Sequence, residues 1–428
     1  MSEQQHTIDR RTLLKMVSTA GVSSAVASAS RPRFMTASVA HASSLVQSDI
    51  APFELSVSDG DLEDLHHRLS SPRWPADSPG APWALGTDRA YLQELVSYWR
   101  DQYDWRTQEA DLNSFNHFTT TIDGQLIHFL HHEGRGVSPL PLVMTHGWPG
   151  TIWEMLSAVR ALSDPVAHGG VASDAFDVVV PSIPGFGFSG EPAAGTDIER
   201  TAALWVALME KLGYQRFGAY GSDWGALVTG HLGARFSDRL YGLITPGTPP
   251  FEPREPQTTE EREFLEDRRR FAVEETAYQR IHGTKPQTLA YALTDSAVGL
   301  AGWITEKLRA WSDCDGNVES RFSKDQILTL VSIYWHTRTI GTSMRYYHAN
   351  GLGSDSFVPP GPAQAPRGYV EFPRDPWRSD PPRTLFGERP SNVTHWSVHD
   401  SGGHFPAIEE PELLVQDLRT FFRPLRSA

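Results

Sequence analysis

Gly221-Ser222-Asp223-Trp224-Gly225 is the stretch on which the reading of this chain turns. A short apolar run, Phe217 to Tyr220, leads into it, and a helical pattern from Ala226 to Arg235 leads out. Small residues around a central polar one, between strand and helix, make a sharp turn that presents the central side chain. An esterase would carry serine there; this chain carries aspartate, and Ser222 sits beside the apex, which disfavours a serine esterase. An aspartate carboxylate is ionised at neutral pH, its ordinary pKa being about 3.9, and it suits displacement at a saturated carbon. The product of such an attack is an alkyl ester of Asp223, which water must then cleave. The chemistry therefore demands a polarised electrophile, a histidine to activate water and a third group to orient it. The plainer alternative is a solvated aspartate capping a helix.

Outward from the elbow, strands and helices alternate. Phe115 to Thr121 and Gln125 to His131 alternate polar and apolar about Asp123-Gly124 and predict a hairpin. Leu140 to Met144, Phe176 to Val180 and Leu240 to Ile244 read as buried strands, and Thr201 to Leu212 as a helix. Such alternation predicts an α/β fold with a mostly parallel sheet covered on both faces. From about Pro249 the strand signals stop. Long helices are predicted at Glu260 to Ile281, Pro286 to Trp311 and Lys324 to His348, an all-helical insertion. Strands resume at Gly368 to Phe372 and Val393 to Val398, and a helix from Pro411 to Phe422 closes the chain. Ahead of the hairpin, helices are predicted from Asp59 to Leu69, capped by Ser58, and from Asp88 to Tyr103. Proline turns separate them, in a segment that wraps the larger domain.

His404, in Asp400-Ser401-Gly402-Gly403-His404-Phe405-Pro406, follows the last strand on a flexible loop that can swing over the elbow. Asp375, in Phe372-Pro373-Arg374-Asp375, follows the strand before it and can hold the imidazole in the right tautomer. Glu371 competes for that role. The order Asp223, Asp375, His404 is the nucleophile, acid, histidine order of the α/β-hydrolase fold. His146-Gly147-Trp148-Pro149 follows an early strand, and the backbone amides of Trp148 and Trp224 are candidates for an oxyanion hole. Pro184 to Gly190 is glycine-rich but lacks GxGxxG spacing and a P-loop lysine, so it is read as packing beside the site.

Together HGWPG, the GSDWG elbow, FPRD and GGHFPAIEEPE resemble the microsomal-type epoxide hydrolase family. The Phe53 to Pro75 segment, ending in Arg73-Trp74-Pro75, is similar to that family's N-terminal wrapping region, and the likeness runs from about Pro52 to Phe422. Ser222 departs from the glycine usual before the nucleophile. The resemblance implies an α/β-hydrolase fold with a helical cap, and two cap tyrosines that hydrogen-bond an epoxide oxygen. Tyr278 matches the first position; Arg345-Tyr346-Tyr347-His348 matches the second, with Tyr347 favoured over Tyr346. Phenols suit the task, because they stay protonated at neutral pH and can still give a proton to a developing alkoxide.

Composition sets limits. The net charge of −14 argues against nucleic acid and anionic membrane surfaces as partners. Cys314 is the only cysteine, so no internal disulfide or Cys-based metal site can form. His128, His131 and His132 lack HExxH spacing and are read as surface or packing residues. No cofactor or metal is expected.

Asp9-Arg10-Arg11-Thr12-Leu13-Leu14-Lys15 is similar to a twin-arginine export signal. A soft apolar run, Met16 to Ala29, follows, and Ala40-His41-Ala42 offers a cleavage site after Ala42. The run is too short to span a bilayer, so no stable membrane anchor is expected. The expected division is a signal at 1–42, a wrapping segment at 43–112, the α/β core at 113–248 and 358–428, and the helical cap at 249–357. The expected function is hydrolysis of an apolar epoxide to a diol with Asp223, His404, Asp375, Tyr278 and Tyr347, in an exported protein. A haloalkane dehalogenase shares the Asp-Trp elbow and is the nearest rival; a non-catalytic binding protein on the same scaffold is another. Neither the natural substrate nor the oligomeric state is legible, and a homodimer is one option left open.

Overall fold

The computed structural model describes residues 49–247, 255–352, 361–377, 382–385 and 392–426. The chain divides into two units, Met1–Gln47 and Ser48–Ala428. The expected export signal falls in the first and lies outside the described residues.

The second unit opens with strand β1 (Ala51–Pro52) and helices α1 (Asp59–Ser70), α2 (Arg89–Asp101) and α3 (Trp105–Asn113). The Ser58 hydroxyl caps α1 by accepting from the Asp61 amide, and Leu65 and Leu69 are buried one turn apart. The predicted second helix stops at Asp101, and α3 is an addition to the sequence reading. Its inner face carries Trp105, Glu109 and Leu112, and the buried glutamate hid the amphipathic pattern. Glu109 is tolerated there because it accepts from the Val57 amide at 2.7 Å and from Arg106 Nη1 at 2.6 Å.

Strands β2 (His117–Ile122), β3 (Gln125–His132), β4 (Leu140–Thr145), β5 (Phe176–Pro181), β6 (Phe217–Gly221), β7 (Leu240–Pro246), β8 (Arg367–Glu371) and β9 (Val393–Val398) join β1 in one sheet. Its order is β1-β2-β3-β5-β4-β6-β7-β8-β9. The β1–β2, β2–β3 and β3–β5 pairs are antiparallel and the rest parallel. Helices α4 (Leu156–Ser163), α5 (Ile198–Lys211) and α6 (Trp224–Arg235) follow β4, β5 and β6. Val143 of β4 packs in one apolar cluster with α5 and α6, and its neighbours Leu142 and Met144 pack in the other with α4 and the C-terminal helix. The sheet is thus covered on both faces, as its apolar strands require.

The cap consists of α7 (Thr259–Glu274), α8 (Ala277–Thr284), α9 (Pro286–Asp295), α10 (Ala297–Trp311), α11 (Lys324–Thr337) and α12 (Ile340–Ala349). Each of the three long predicted helices is in fact two. The breaks lie at Glu275-Thr276, at Ser296, whose hydroxyl caps α10, and at Arg338, whose φ of 57° stops the turn. Apolar periodicity continues across each break, so it does not betray them. The chain ends with α13 (Pro406–Glu409) and α14 (Pro411–Phe422). The expected cap boundaries, at 249 and 357, lie outside the described residues.

Candidate active site

Asp223 occupies the turn between β6 and α6 with φ 50° and ψ −120°. A non-glycine residue in such a conformation costs about 1–3 kcal/mol and persists only where its surroundings hold it. Here the Asp223 carbonyl accepts from the Ala226 amide at 3.0 Å, and its Oδ1 accepts from the Trp148 amide at 2.8 Å. Two glycines allow the close approach. A Cβ on Gly225 would overlap the Thr145 carbonyl, and one on Gly147 would overlap Asp223 itself.

His404 Nε2 lies 3.3 Å from Asp223 Oδ2, and His404 Nδ1 lies 3.0 Å from Asp375 Oδ1. The His404 amide donates to the carbonyl of Trp311, the last residue of α10, at 2.9 Å. That bond fixes the histidine loop against the cap. Burial alone would push the imidazole pKa down. The Asp375 charge, hydrogen bonds to Asp223 and Asp375 and the Asp223 charge outweigh burial and hold it at about 10. Asp375 also accepts from the Trp377 amide at 3.1 Å. Glu371, its rival by sequence, is buried and hydrogen-bonded to the Trp396 indole.

Of the two expected oxyanion amides, that of Trp148 is bonded to Asp223. Trp224 is the first residue of α6, where an N–H has no partner inside the helix. Above these residues stands an aromatic cluster. Trp148 stacks on Tyr278 at 5.3 Å, Trp224 meets Tyr347 edge to face at 4.7 Å, and the two tyrosine rings are 5.9 Å apart. Both phenols are buried, and burial first, with the Asp223 charge behind it, raises both pKa values well above the ordinary tyrosine value. They are therefore O–H donors at any pH near neutral. The Tyr347 hydroxyl has no well-formed hydrogen bond; the Tyr278 phenol and the Trp224 indole are its polar neighbours. Tyr346 is committed elsewhere, donating to Thr201 Oγ1 at 2.7 Å.

Two further residues flank the site. His146, fully buried, accepts from the Ile183 amide at 3.2 Å, and burial pushes its pKa down to about 4. Its ring packs on Phe186, which places the Pro184 to Gly190 stretch beside the site. Glu154, which the sequence reading missed, is buried and accepts from the Ser222 hydroxyl at 2.7 Å. The signal was present: an acidic residue between Ile152 and Met155, both wholly buried. His128 and His117 pair within the core at 2.9 Å, a packing role. No group of three or more potential metal ligands occurs among the described residues.

Residues 50–155 match the family model described as epoxide hydrolase N terminus, and residues 141–285 match the alpha/beta hydrolase fold. The chain is 34% identical over 418 residues to epoxide hydrolase 1 of Sus scrofa, covering 87% of this chain and 88% of that one. Among solved structures, the juvenile hormone epoxide hydrolase of the silkworm Bombyx mori is similar with a TM-score of 0.79 and 28% identity, over 88% of this chain and 95% of that one. The Aspergillus niger epoxide hydrolase is similar with a TM-score of 0.74 and 27% identity, over 87% and 96%. The elbow, the histidine it faces and the tyrosines above them thus sit in a frame whose relatives share one description, and the chain belongs to the epoxide hydrolase family.

Proposed function

We propose that this protein hydrolyses epoxides to vicinal diols through an ester on Asp223. The carrying observation is the Asp223 carboxylate, bonded to Trp148 N–H on one oxygen and facing His404 with the other, beneath two buried phenols. Oδ2, the oxygen without the amide, attacks a ring carbon. The carbon–oxygen bond of the epoxide breaks, and the departing oxygen takes a proton from Tyr278 or Tyr347. The resulting tyrosinate is reprotonated from the His404 imidazolium, which is the form present at neutral pH.

Esterification also removes the Asp223 charge from beside His404, which lowers the imidazole pKa toward the range where a general base works. Water then adds to the Asp223 carbonyl carbon as its proton passes to His404 Nε2. Oδ1, held by the Trp148 amide, carries the oxyanion. Collapse returns the proton to the leaving oxygen and frees the diol. The aromatic surroundings support an apolar epoxide as substrate. The phenol pair favours an epoxide oxygen over a halide leaving group. The Asp9 to Lys15 motif and the Ala40-His41-Ala42 site support export by the twin-arginine route with cleavage after Ala42.

Single turnover in heavy-oxygen water, with enzyme in excess, tests the scheme. Label should enter Asp223 and be absent from the first diol; label in that diol would mean direct attack by water and end the proposal. The assignment of the tyrosines makes a separate forecast. Tyr347→Phe should lower kcat about 10- to 100-fold, as loss of a proton donor to the leaving oxygen does. Tyr346→Phe removes only the bond to Thr201, worth about 1 kcal/mol of stability, and should leave kcat within about twofold. Steady-state kinetics of the two variants decides which tyrosine acts.

A further inference from the structure

Glu154 is a buried acid that the scheme above does not use. It lies on the short turn Ile152–Met155, 3% exposed. One of its oxygens accepts from Ser222, the residue before the nucleophile, at 2.7 Å. The Gly147 amide, just before Trp148, lies near enough to favour the ionised carboxyl. The second oxygen lies over Gly150 so closely that a Cβ there would overlap it. One carboxyl therefore ties the strained elbow to the loop that supplies the oxyanion amide.

Its electrical surroundings are equally specific. Burial pushes the Glu154 pKa up to about 7; Ser222, the His404 charge and the Gly147 amide pull it down, and the Asp223 charge pushes it up. Tyr220 and Tyr334 also lie within its field, and both are protonated. His404 in turn lies against Asp375 and Asp223, and its charge reaches Glu154 and Glu409. Glu409 is bonded to the Asp313 and Phe405 amides and lies near Arg321. In the free enzyme, then, ionised Asp223 opposes ionisation of Glu154. Esterification of Asp223 lifts that opposition.

We propose that Glu154 is a positioning residue that carries the negative charge beside His404 while Asp223 is esterified, supporting the imidazolium formed as water is activated. This rests on the reading of Asp223 as the covalent nucleophile. During alkylation the site needs one charge on the attacking oxygen; during hydrolysis that charge is gone, and a second acid behind the elbow replaces it. The serine before the nucleophile gives the second acid its anchor, since a glycine there would offer no hydroxyl.

The consequence is a pH effect of defined sign. Ester hydrolysis needs neutral His404, so its rate rises with pH through the imidazole pKa of the alkyl-enzyme. A negative Glu154 holds that pKa up; removing the charge lets it fall. The experiment forms the alkyl-enzyme with excess enzyme and a styrene-type epoxide, jumps the pH, and follows decay of the ester mass by rapid quench. Glu154→Gln should move the acid limb to lower pH by about half to one unit, and Glu154→Asp, which keeps the charge, should leave it near the wild-type position. Ser222→Ala, which loses a bond that favours the ionised acid, should move the limb in the same direction by less, and serves if Glu154→Gln fails to fold. A limb that superimposes on wild type in the charge-removing variants overturns the proposal, as does an equal shift in Glu154→Asp. If no ester mass forms on Asp223 in the wild type, the covalent reading itself falls; an ester with an unmoved limb sinks only the role of Glu154.

Discussion

Asp223→Ala abolishes diol formation, leaving at most the uncatalysed rate. The expected loss is at least about 10⁴-fold in kcat, the scale on which removal of a covalent nucleophile acts. The physical reason is that no neighbour can stand in for it. Asp375 is held behind His404 Nδ1, and Glu154 is turned toward Ser222. The variant should fold, because alanine carries the same Cβ into the β6–α6 turn and pays only slightly more strain there than aspartate, and it loses side-chain bonds only to Trp148 and His404. Circular dichroism and thermal melting establish the fold, and a sensitive diol assay reads the rate. Substantial residual turnover in a folded variant would mean that water attacks the epoxide directly.

His404→Gln separates the two half-reactions. Attack by Asp223 needs no base, so the variant should still consume one equivalent of epoxide. Hydrolysis of the ester needs a base at the position of Nε2, and the glutamine amide cannot serve. The expected result is a stable adduct, with enzyme mass raised by that of the epoxide and located by peptide mapping to the segment containing Asp223. Turnover should fall by about 10³-fold or more, as general-base loss combined with a stalled intermediate predicts. An inactive variant that never gains mass would show that no ester forms. The pair of variants is diagnostic: the first blocks formation of the adduct and the second blocks its decay.

Much of this site is legible in the sequence because its parts are local. A polar residue at the centre of a glycine-flanked turn between strand and helix reads as a presented side chain, and Asp223 is one. His404 follows from its loop after the last strand. The choice between Glu371 and Asp375 is not local. Glu371 ends β8, where it meets Trp396 of the neighbouring strand, and only the loop beyond carries Asp375 back to His404. Tyr346 and Tyr347 pose the same difficulty. Adjacent helical residues point about 100° apart, and the docking of α12 decides that Tyr346 bonds Thr201 while Tyr347 meets Tyr278 and Trp148. The role of Glu154 was illegible for a different reason: an acid in an apolar turn has meaning only once the hydroxyl it receives, from a residue 68 positions away, is known. Helix breaks at Ser296 and Arg338 escaped because the cap keeps its apolar faces on both sides of each break.

The N-terminal segment bears on how ligand reaches the elbow. It is stitched to the sheet by β1 and by the Phe53 amide on the His117 carbonyl. It is also stitched to the cap by Thr87 on the Gly302 carbonyl, by Tyr98 on Asp325 and by Arg68 on Asp295. A rigid swing of the roof would have to shear these bonds together with the α2–α10 packing. These contacts oppose a rigid swing of the cap away from the elbow. The N-terminal strap is thus a clamp, pinning the roof to the sheet at both ends of its span.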